Sequence, residues 1–417
     1  MSTIEPSTVA PLSQAPGLLS LPGFRRFLWA MFCFTAAMQI ANVAQGWLVF
    51  EITGSSVALG VVTSLWSVVM LVASPFGGVI ADRMDRKMLI AVTWGASAAI
   101  FGLLAFLIFT DNIQVWHMAL AAALHGLVFS VNIPARFVLI SQMVSDLGLT
   151  RALALVALVF NLNGVLFALL GGGIIDLVGA DGAYAAVALL YGLSAGVITL
   201  VPAAKGVDGA KRNWNVLAEL ATGVRAIRAS RTIMVLTGLA LAAVVLGQTY
   251  QVLLPKFAAE TLGVPASGLG LLMAMMALGS FVGNGVVANF RPGAPLGRWM
   301  FVLGIMSGVS LIALGLVRGM YFALGALFLT GLAGGPFFTI NQTLVQRLSP
   351  VEVRGRVLSL WMLTWGAMPL GIMGFSALGD QIGLWFPMVL GGASLVLVMV
   401  AVLFAYPALL RVAEGTK

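Results

Sequence analysis

From Arg25 onward the chain alternates between long apolar runs and short polar breaks. Each run holds about 20 residues, enough at about 1.5 Å rise per residue to cross roughly 30 Å of hydrocarbon as a helix. The pattern predicts about twelve spans, at 27–50, 58–81, 88–110, 115–141, 152–175, 182–202, 232–254, 266–289, 298–317, 320–346, 356–379 and 383–406. The first 23 residues carry Pro6, Pro11, Pro16 and Pro22 and no Lys or Arg, so they lack the basic start and apolar core of a signal peptide and read as a disordered tail. The longest polar stretch, 203–231, separates two sets of six spans. The expected organisation is a tail at 1–23, a six-helix bundle at 24–203, a linker at 204–231, a second bundle at 232–406 and a tail at 407–417.

The two sets resemble each other. At an offset of 204, Gln142-Met-Val-Ser-Asp lies over Gln346-Arg-Leu-Ser-Pro, and Asp176 and Gly179 lie over Asp380 and Gly383. At 207, Gly78-Val-Ile-Ala-Asp82 lies over Gly285-Val-Val-Ala-Asn289. The fold class expected is an all-α membrane protein of two parallel six-helix repeats, an arrangement that places a site at midplane between the halves.

Composition and charge sharpen this picture. Hydrophobic residues make up 60% and charged residues 9%, far from the roughly 45–50% and about 25% of soluble domains. One cysteine, Cys33, excludes a disulfide scaffold, and two histidines, His117 and His125, leave no multi-ligand metal site. The net charge of +8 is spread between apolar runs, which favours lipid headgroups over nucleic acid. With the N-terminus inside, all but Lys256 and Arg318 of the 22 Lys and Arg fall on cytoplasmic segments, Arg136 among them. Both termini are therefore expected in the cytoplasm, with Glu51, Asp111, Asp176, Asp181, Glu260 and Asp380 at outer ends. Trp29, Trp47, Trp116, Trp299 and Trp385 lie near span ends, where interfacial rings belong.

The run Gly78-Val-Ile-Ala-Asp82-Arg83-Met84-Asp85-Arg86-Lys87 resembles the signature loop of the major facilitator superfamily, G-x-x-x-D-R/K-x-G-R/K-R/K, with Asp85 in place of the second glycine. Together with Asn42-Val-Ala-Gln45-Gly-Trp-Leu-Val-Phe-Glu51 through Gly60, Pro134-Ala-Arg136 and Arg354-Gly-Arg356-Val, it is similar to the macrolide-efflux and enterobactin-exporter branch. The resemblance implies the major facilitator fold, alternating access, a bacterial inner-membrane location and a cavity lined by the first, fourth, seventh and tenth spans. It also implies a gating loop of Gly78, Asp82, Arg83, Arg86 and Lys87. Two exporter features are missing: Ala122 stands where an arginine would precede Gly126, and Phe167-Ala168 stands where a Gly-Pro pair would precede Gly171 to Gly173. The coupling mechanism is left open by these departures.

Polar groups inside the membrane are costly and therefore informative. Gln39, Asn42, Gln45, Asn132, Asn161, Asn163, Gln248 and Gln251 are the candidate cavity residues, with Trp365 as an aromatic contact; helix-to-helix hydrogen bonding is the competing role for each amide. Asn341 and Gln342 lie near the inner end of the tenth span. No Asp or Glu falls near the midplane, so His125, about ten residues into the fourth span, is a candidate proton site, with Glu51 and Asp176 as alternatives.

Gly283-Asn-Gly285-Val-Val-Ala288 fits a dinucleotide pattern but lies inside a span, and no Gly-Lys-Ser/Thr occurs. The expected function is secondary active export of amphipathic small molecules, drug-like or siderophore-like, by a monomer using a proton gradient, with no cofactor and no metal. An importer or facilitator of the same fold is the alternative. An enzyme lacks a nucleophile and base at depth, and a channel lacks a filter or charged rings.

Overall fold

The computed structural model describes residues 18–144, 146–202, 216–291, 293–350 and 353–411, with backbone alone at 75–83, 133–134, 146–148, 150, 216–221 and 411. Helices fill nearly all of it: α1 (Pro22–Thr53), α2 (Ser56–Arg83), α3 (Arg86–Phe109), α4 (Val115–Met143), α5 (Asp146–Thr199), α6 (Val216–Ala229), α7 (Arg231–Gly247), α8 (Tyr250–Lys256), α9 (Ala266–Ala288), α10 (Leu296–Leu316), α11 (Met320–Leu348), α12 (Arg354–Met362), α13 (Met368–Ile382) and α14 (Trp385–Ala405). Among the described residues eleven continuous segments are long and apolar enough to cross a membrane, and one of them, at 151–199, is twice the necessary length. It folds back at Gly179, whose φ of 81° suits glycine and breaks α5 into two arms, giving twelve spans.

Local chemistry sets the ends. Asp85 caps α3 by accepting from the Met88 N–H at 2.8 Å, which gives the residue that departs from the signature loop a structural purpose. Gln114 and His117 form a reciprocal capping box on α4, and Gly54 in the left-handed region closes α1. Two spans are composite. α7 runs through Gln248 and Thr249 into α8 and a π-helical turn, Phe257–Thr261, so the seventh span reaches beyond the expected 254. α12 passes through a 3-10 segment, Leu363–Ala367, into α13.

Three boundaries differ from the sequence reading. Leu18–Ser20 forms a 3-10 turn and α1 begins at Pro22, so the last residues of the expected tail are structured; residues 1–17 lie outside the described residues. The segment expected as a linker contains α6, an amphipathic helix packed on α12, where Gly223 meets the Arg356 backbone. Pro407–Arg411 forms a 3-10 turn that buries Leu409 against Gly297.

The spans group as two halves, α1–α5 and α7–α14. An even number of crossings brings Leu18, α6 and Pro407 to one end of the bundle, the terminal end; the α1–α2 and α5 turns lie at the far end. The buried core of the N-terminal half continues into far-end residues of the other half, including Tyr250, Phe257, Leu269 and Ile372. A separate core, built on Leu236, Met300, Phe337 and Trp361, fills the terminal side of the C-terminal half.

Candidate functional site

The seam between the halves is built on close backbone approach. A Cβ placed on Gly172 of α5 would lie 2.3 Å from the Ala266 carbonyl oxygen of α9, and one on Gly270 would lie 2.5 Å from the Ala168 carbonyl oxygen. On the opposite flank Gly60 of α2 faces Ser376 of α13, and between them Gly46 of α1 faces Pro255 of α8. Such contacts need small residues and exclude water.

Two aspartates finish the far end. The Asp176 carboxylate accepts from the Ala266 and Ser267 N–H groups at 3.1 and 3.0 Å, capping α9 from the other half. The Asp380 carboxylate accepts from the Ser56 and Val57 N–H groups at 2.9 and 3.0 Å and from Ser55 Oγ at 2.8 Å, capping α2. Lys256 Nζ lies 2.7 Å from Asp380 and 3.9 Å from Glu260. A carboxylate at a helix N-terminus meets unpaired N–H groups and the positive end of the helix dipole. Asp176 and Asp380 occupy matching places in the two repeats, and each is followed three residues later by a glycine of positive φ, Gly179 and Gly383. The device is therefore duplicated, each half capping a helix of the other.

The seam opens toward the terminal end. On α5, Gly164, Ala168 and Gly172 are buried against α9, Asn161 one turn on is half-buried, and Ala157 and Ala154 are exposed. The facing stripe of α9 behaves alike: Ala266 and Gly270 are buried, Ala277 is half-buried, and Phe281, Gly285 and Ala288 are exposed. The halves thus meet at the far end, part near mid-span and enclose a cleft open on the terminal side.

The cleft gathers part of the expected set. Asn42 is the one exposed residue between Ala30 and Phe50 of α1 and donates to Gln39 Oε1 at 3.3 Å, with Gln45 one turn further. Across the seam, Gln251 donates to Gln248 at the α7–α8 joint. The pairs Asn42 with Gln45 and Gln248 with Gln251 are both offset by 206, so the amides are repeat-related. Asn161 lies on the α5 stripe where it leaves α9. Trp365, 40% exposed in the 3-10 break, lies tilted against Phe338 with ring centres 4.9 Å apart, beside Gly366, which touches Leu71 of α2.

Other expected residues are placed elsewhere. Asn132 is buried and donates to Thr93 Oγ1 at 2.9 Å, tying α4 to α3. Asn163 is buried and donates to Thr35 Oγ1 and the Phe32 carbonyl, tying α5 to α1. Both are braces within one half and do not line the cleft. Asn341 does the same in the other half, donating to the Leu236 carbonyl at 3.0 Å and accepting from Trp361 Nε1 at 2.7 Å. His125 is enclosed by Phe101, Phe129 and Tyr191, its Nε2 3.5 Å from the Tyr191 hydroxyl, inside the N-terminal half. Glu51 is exposed at the far end of α1.

Of the gating loop, the side chains of Gly78, Asp82 and Arg83 lie outside the described residues. Arg86 is half-buried with its Nε unpaired. Lys87 Nζ reaches the Val201 and Thr199 carbonyls at 3.2 and 3.4 Å, and Arg26 reaches the Leu200 carbonyl at 2.7 Å. Both cations satisfy carbonyls at the end of α5 within their own half.

Two features escaped the sequence reading. Arg136, counted above among the cytoplasmic cations, is covered by rings in the last turns of α4, its guanidinium 4.9 Å from the Phe34 ring centre and 5.8 Å from that of Phe129. The Lys256–Asp380 pair joins residues distant in sequence; its one signal was the repeat alignment of Asp380 with Asp176. Among the described residues no group of three His, Cys, Asp or Glu could hold a metal ion.

Comparison with known proteins agrees with this architecture. The structure is similar over 95% of its length to a bacterial homolog of the human lysosomal transporter Spinster in an inward-facing, unoccupied conformation, at a TM-score of 0.72 and 14% identity, covering 97% of that chain. It is similar to the nucleoside transporter NupG, at a TM-score of 0.74 and 12% identity, over 93% of this chain and 99% of that one. A peptide transporter, POT, in complex with sulfate gives 0.73 and 12% over 94% and 96% of the two chains. No curated protein matches the sequence. The family model described as Major Facilitator Superfamily matches residues 27–373. The chain is a membrane transporter of the alternating-access type, and it belongs to the major facilitator superfamily.

Proposed function

We propose that the chain exports amphipathic small molecules, of the drug-like or siderophore-like kind handled by the macrolide-efflux and enterobactin-exporter branch, across the bacterial inner membrane. Both termini and α6 lie in the cytoplasm in this reading, so the cleft faces inward and loads from the cell interior. The observation that carries it is the pair of stripes on α5 and α9, buried at the far end and exposed toward the terminal end. A cleft walled by amides and by Trp365 with Phe338 suits a partner with an apolar body and dispersed polar groups.

Coupling to the proton gradient belongs to the same proposal. Of the three candidates, Asp176 is the one bonded across the seam, so its protonation would remove the negative charge that caps α9, weaken both hydrogen bonds and loosen the far end. Glu51 and His125 make no described hydrogen bond to the other half. The loop of Asp82 and Arg86 keeps its proposed role in switching at the cytoplasmic side. Inside-out vesicles from a host lacking its own exporters provide the test. An imposed pH gradient is expected to drive saturable uptake of amphipathic dyes, and Asp176→Asn should abolish gradient-driven uptake while preserving substrate exchange. Accumulation of substrate inside intact cells would instead establish import.

A further inference from the structure

Arg136 sits seven residues before the end of α4, about 10 Å inside the helix at 1.5 Å per residue. The helix itself is longer than the hydrocarbon requires, so the enclosure of Arg136 is read from its neighbours. A cation held within a membrane bundle ordinarily has a carboxylate beside it. The described ion pairs all belong to Lys256, and none includes Arg136. Its neighbours are instead the rings of Phe34 and Phe129 and the Met31 sulfur, 3.8 Å from one terminal nitrogen. Its Nε is buried and has no hydrogen-bond partner.

Met31 begins a face of α1 that continues through Met38, Asn42 and Gln45, spaced by seven, four and three residues, and Asn42 on that face is exposed to the cleft. Arg136 stands lower on that same side of α1, where Met31 and Phe34 are buried, and is itself half-buried. A guanidinium supported by aromatic faces keeps its planar N–H edge for a bidentate oxyanion, while the rings receive an apolar body.

We propose that Arg136 recognises an anionic group, a carboxylate or a phosphate, on the amphipathic substrate, an assignment that rests on the exporter reading above. The cation has no carboxylate partner in the protein because the substrate supplies the anion. The amides of Asn42, Gln45, Gln248 and Gln251 then contact the uncharged polar part of the same molecule deeper in the cleft.

The test uses the purified full-length protein in neutral detergent and energy transfer from its tryptophans to three dansyl amphipaths of equal chain length: a carboxylate, a phosphate monoester and a neutral amide. A hydrogen-bonded charge pair supports a preference of about tenfold or more for the anionic forms over the amide. Arg136→Gln should erase that preference and leave amide binding unchanged, and Arg136→Lys should retain part of it. Equal affinity of the wild type for charged and neutral forms, or an undiminished preference in Arg136→Gln, would overturn the assignment while leaving the exporter reading intact. Absence of saturable binding by all three probes would overturn both. Competition by phosphatidylglycerol at the same affinity would give the site to a lipid headgroup and overturn its role toward substrate.

Discussion

Adjacent glycines on α5 allow the far-end seal to be perturbed with an internal control. A methyl group on Gly172 would stand 2.3 Å from the Ala266 carbonyl oxygen and 2.8 Å from the Ser267 Cα, whereas one on Gly173 would meet nothing within 4 Å. Ordinary contact begins near 3.4 Å, so Gly172→Ala requires the backbones of α5 and α9 to separate by about 1 Å at their closest point. Both atoms in the way are backbone, and the first turn of α9 is already fixed by Asp176, so no side-chain rotation relieves the clash. Forced overpacking costs about 1–3 kcal/mol. The cost falls on the state whose far end is closed, because separation of the halves leaves the methyl group in open space. The far-end-open population should therefore rise by roughly 5- to 150-fold. The gain in helix propensity from Gly to Ala is shared by both variants and both states, so Gly173→Ala removes it from the comparison. Spin labels at Leu177 and Tyr321, both highly exposed at far ends of opposite halves, in a Cys33→Ala background, report the separation by double electron–electron resonance. A distance distribution for Gly172→Ala that matches Gly173→Ala would refute the reasoning.

Three further outcomes are expected. Asp380→Asn should destabilise the far-end-closed protein by about 2–3 kcal/mol, because it leaves Lys256 largely buried without its carboxylate. Adding Lys256→Met should recover part of that loss; thermal unfolding in detergent measures both, and a double variant worse than the single one would contradict the pairing. Asn341→Leu should lower stability by about 1–3 kcal/mol through the unpaired Trp361 indole, without altering substrate preference in transport assays. Cysteines replacing Gly209 and Asn112 should react oppositely with an impermeant thiol reagent on intact cells, and outside labelling at position 209 would reverse the proposed orientation.

The fold was largely legible because span number, the division into halves and the repeat are written in hydropathy, in the polar stretch after 203 and in the Asp176 and Asp380 turns. What hydropathy leaves unspecified is the rotation of a helix about its own axis. The spans are apolar on nearly every side, so the sequence could not distinguish Asn42, which faces the cleft, from Asn163, which braces α1 against α5. The same ambiguity brought Asn132 into the candidate set. Arg136 shows a different limit: counting basic residues says nothing of what surrounds a cation, and here Phe34 and Phe129 cover the guanidinium within α4. The Asp380 contact with Lys256 and the α2 N-terminus depends on spatial neighbours distant in sequence, for which the duplicated Asp-x-x-Gly was the one visible trace.

The central claim is that the halves rock about the seam, closing one end as the other opens. Two spin-label pairs, Leu177 with Tyr321 at the far end and Met88 with Trp299 at the terminal end, measured in the same membrane with and without a transported substrate, test it most directly. Opposite changes are expected, the far-end distance growing as the terminal-end distance shrinks. Distances that rise together, or a terminal end that stays fixed through turnover, would contradict the account.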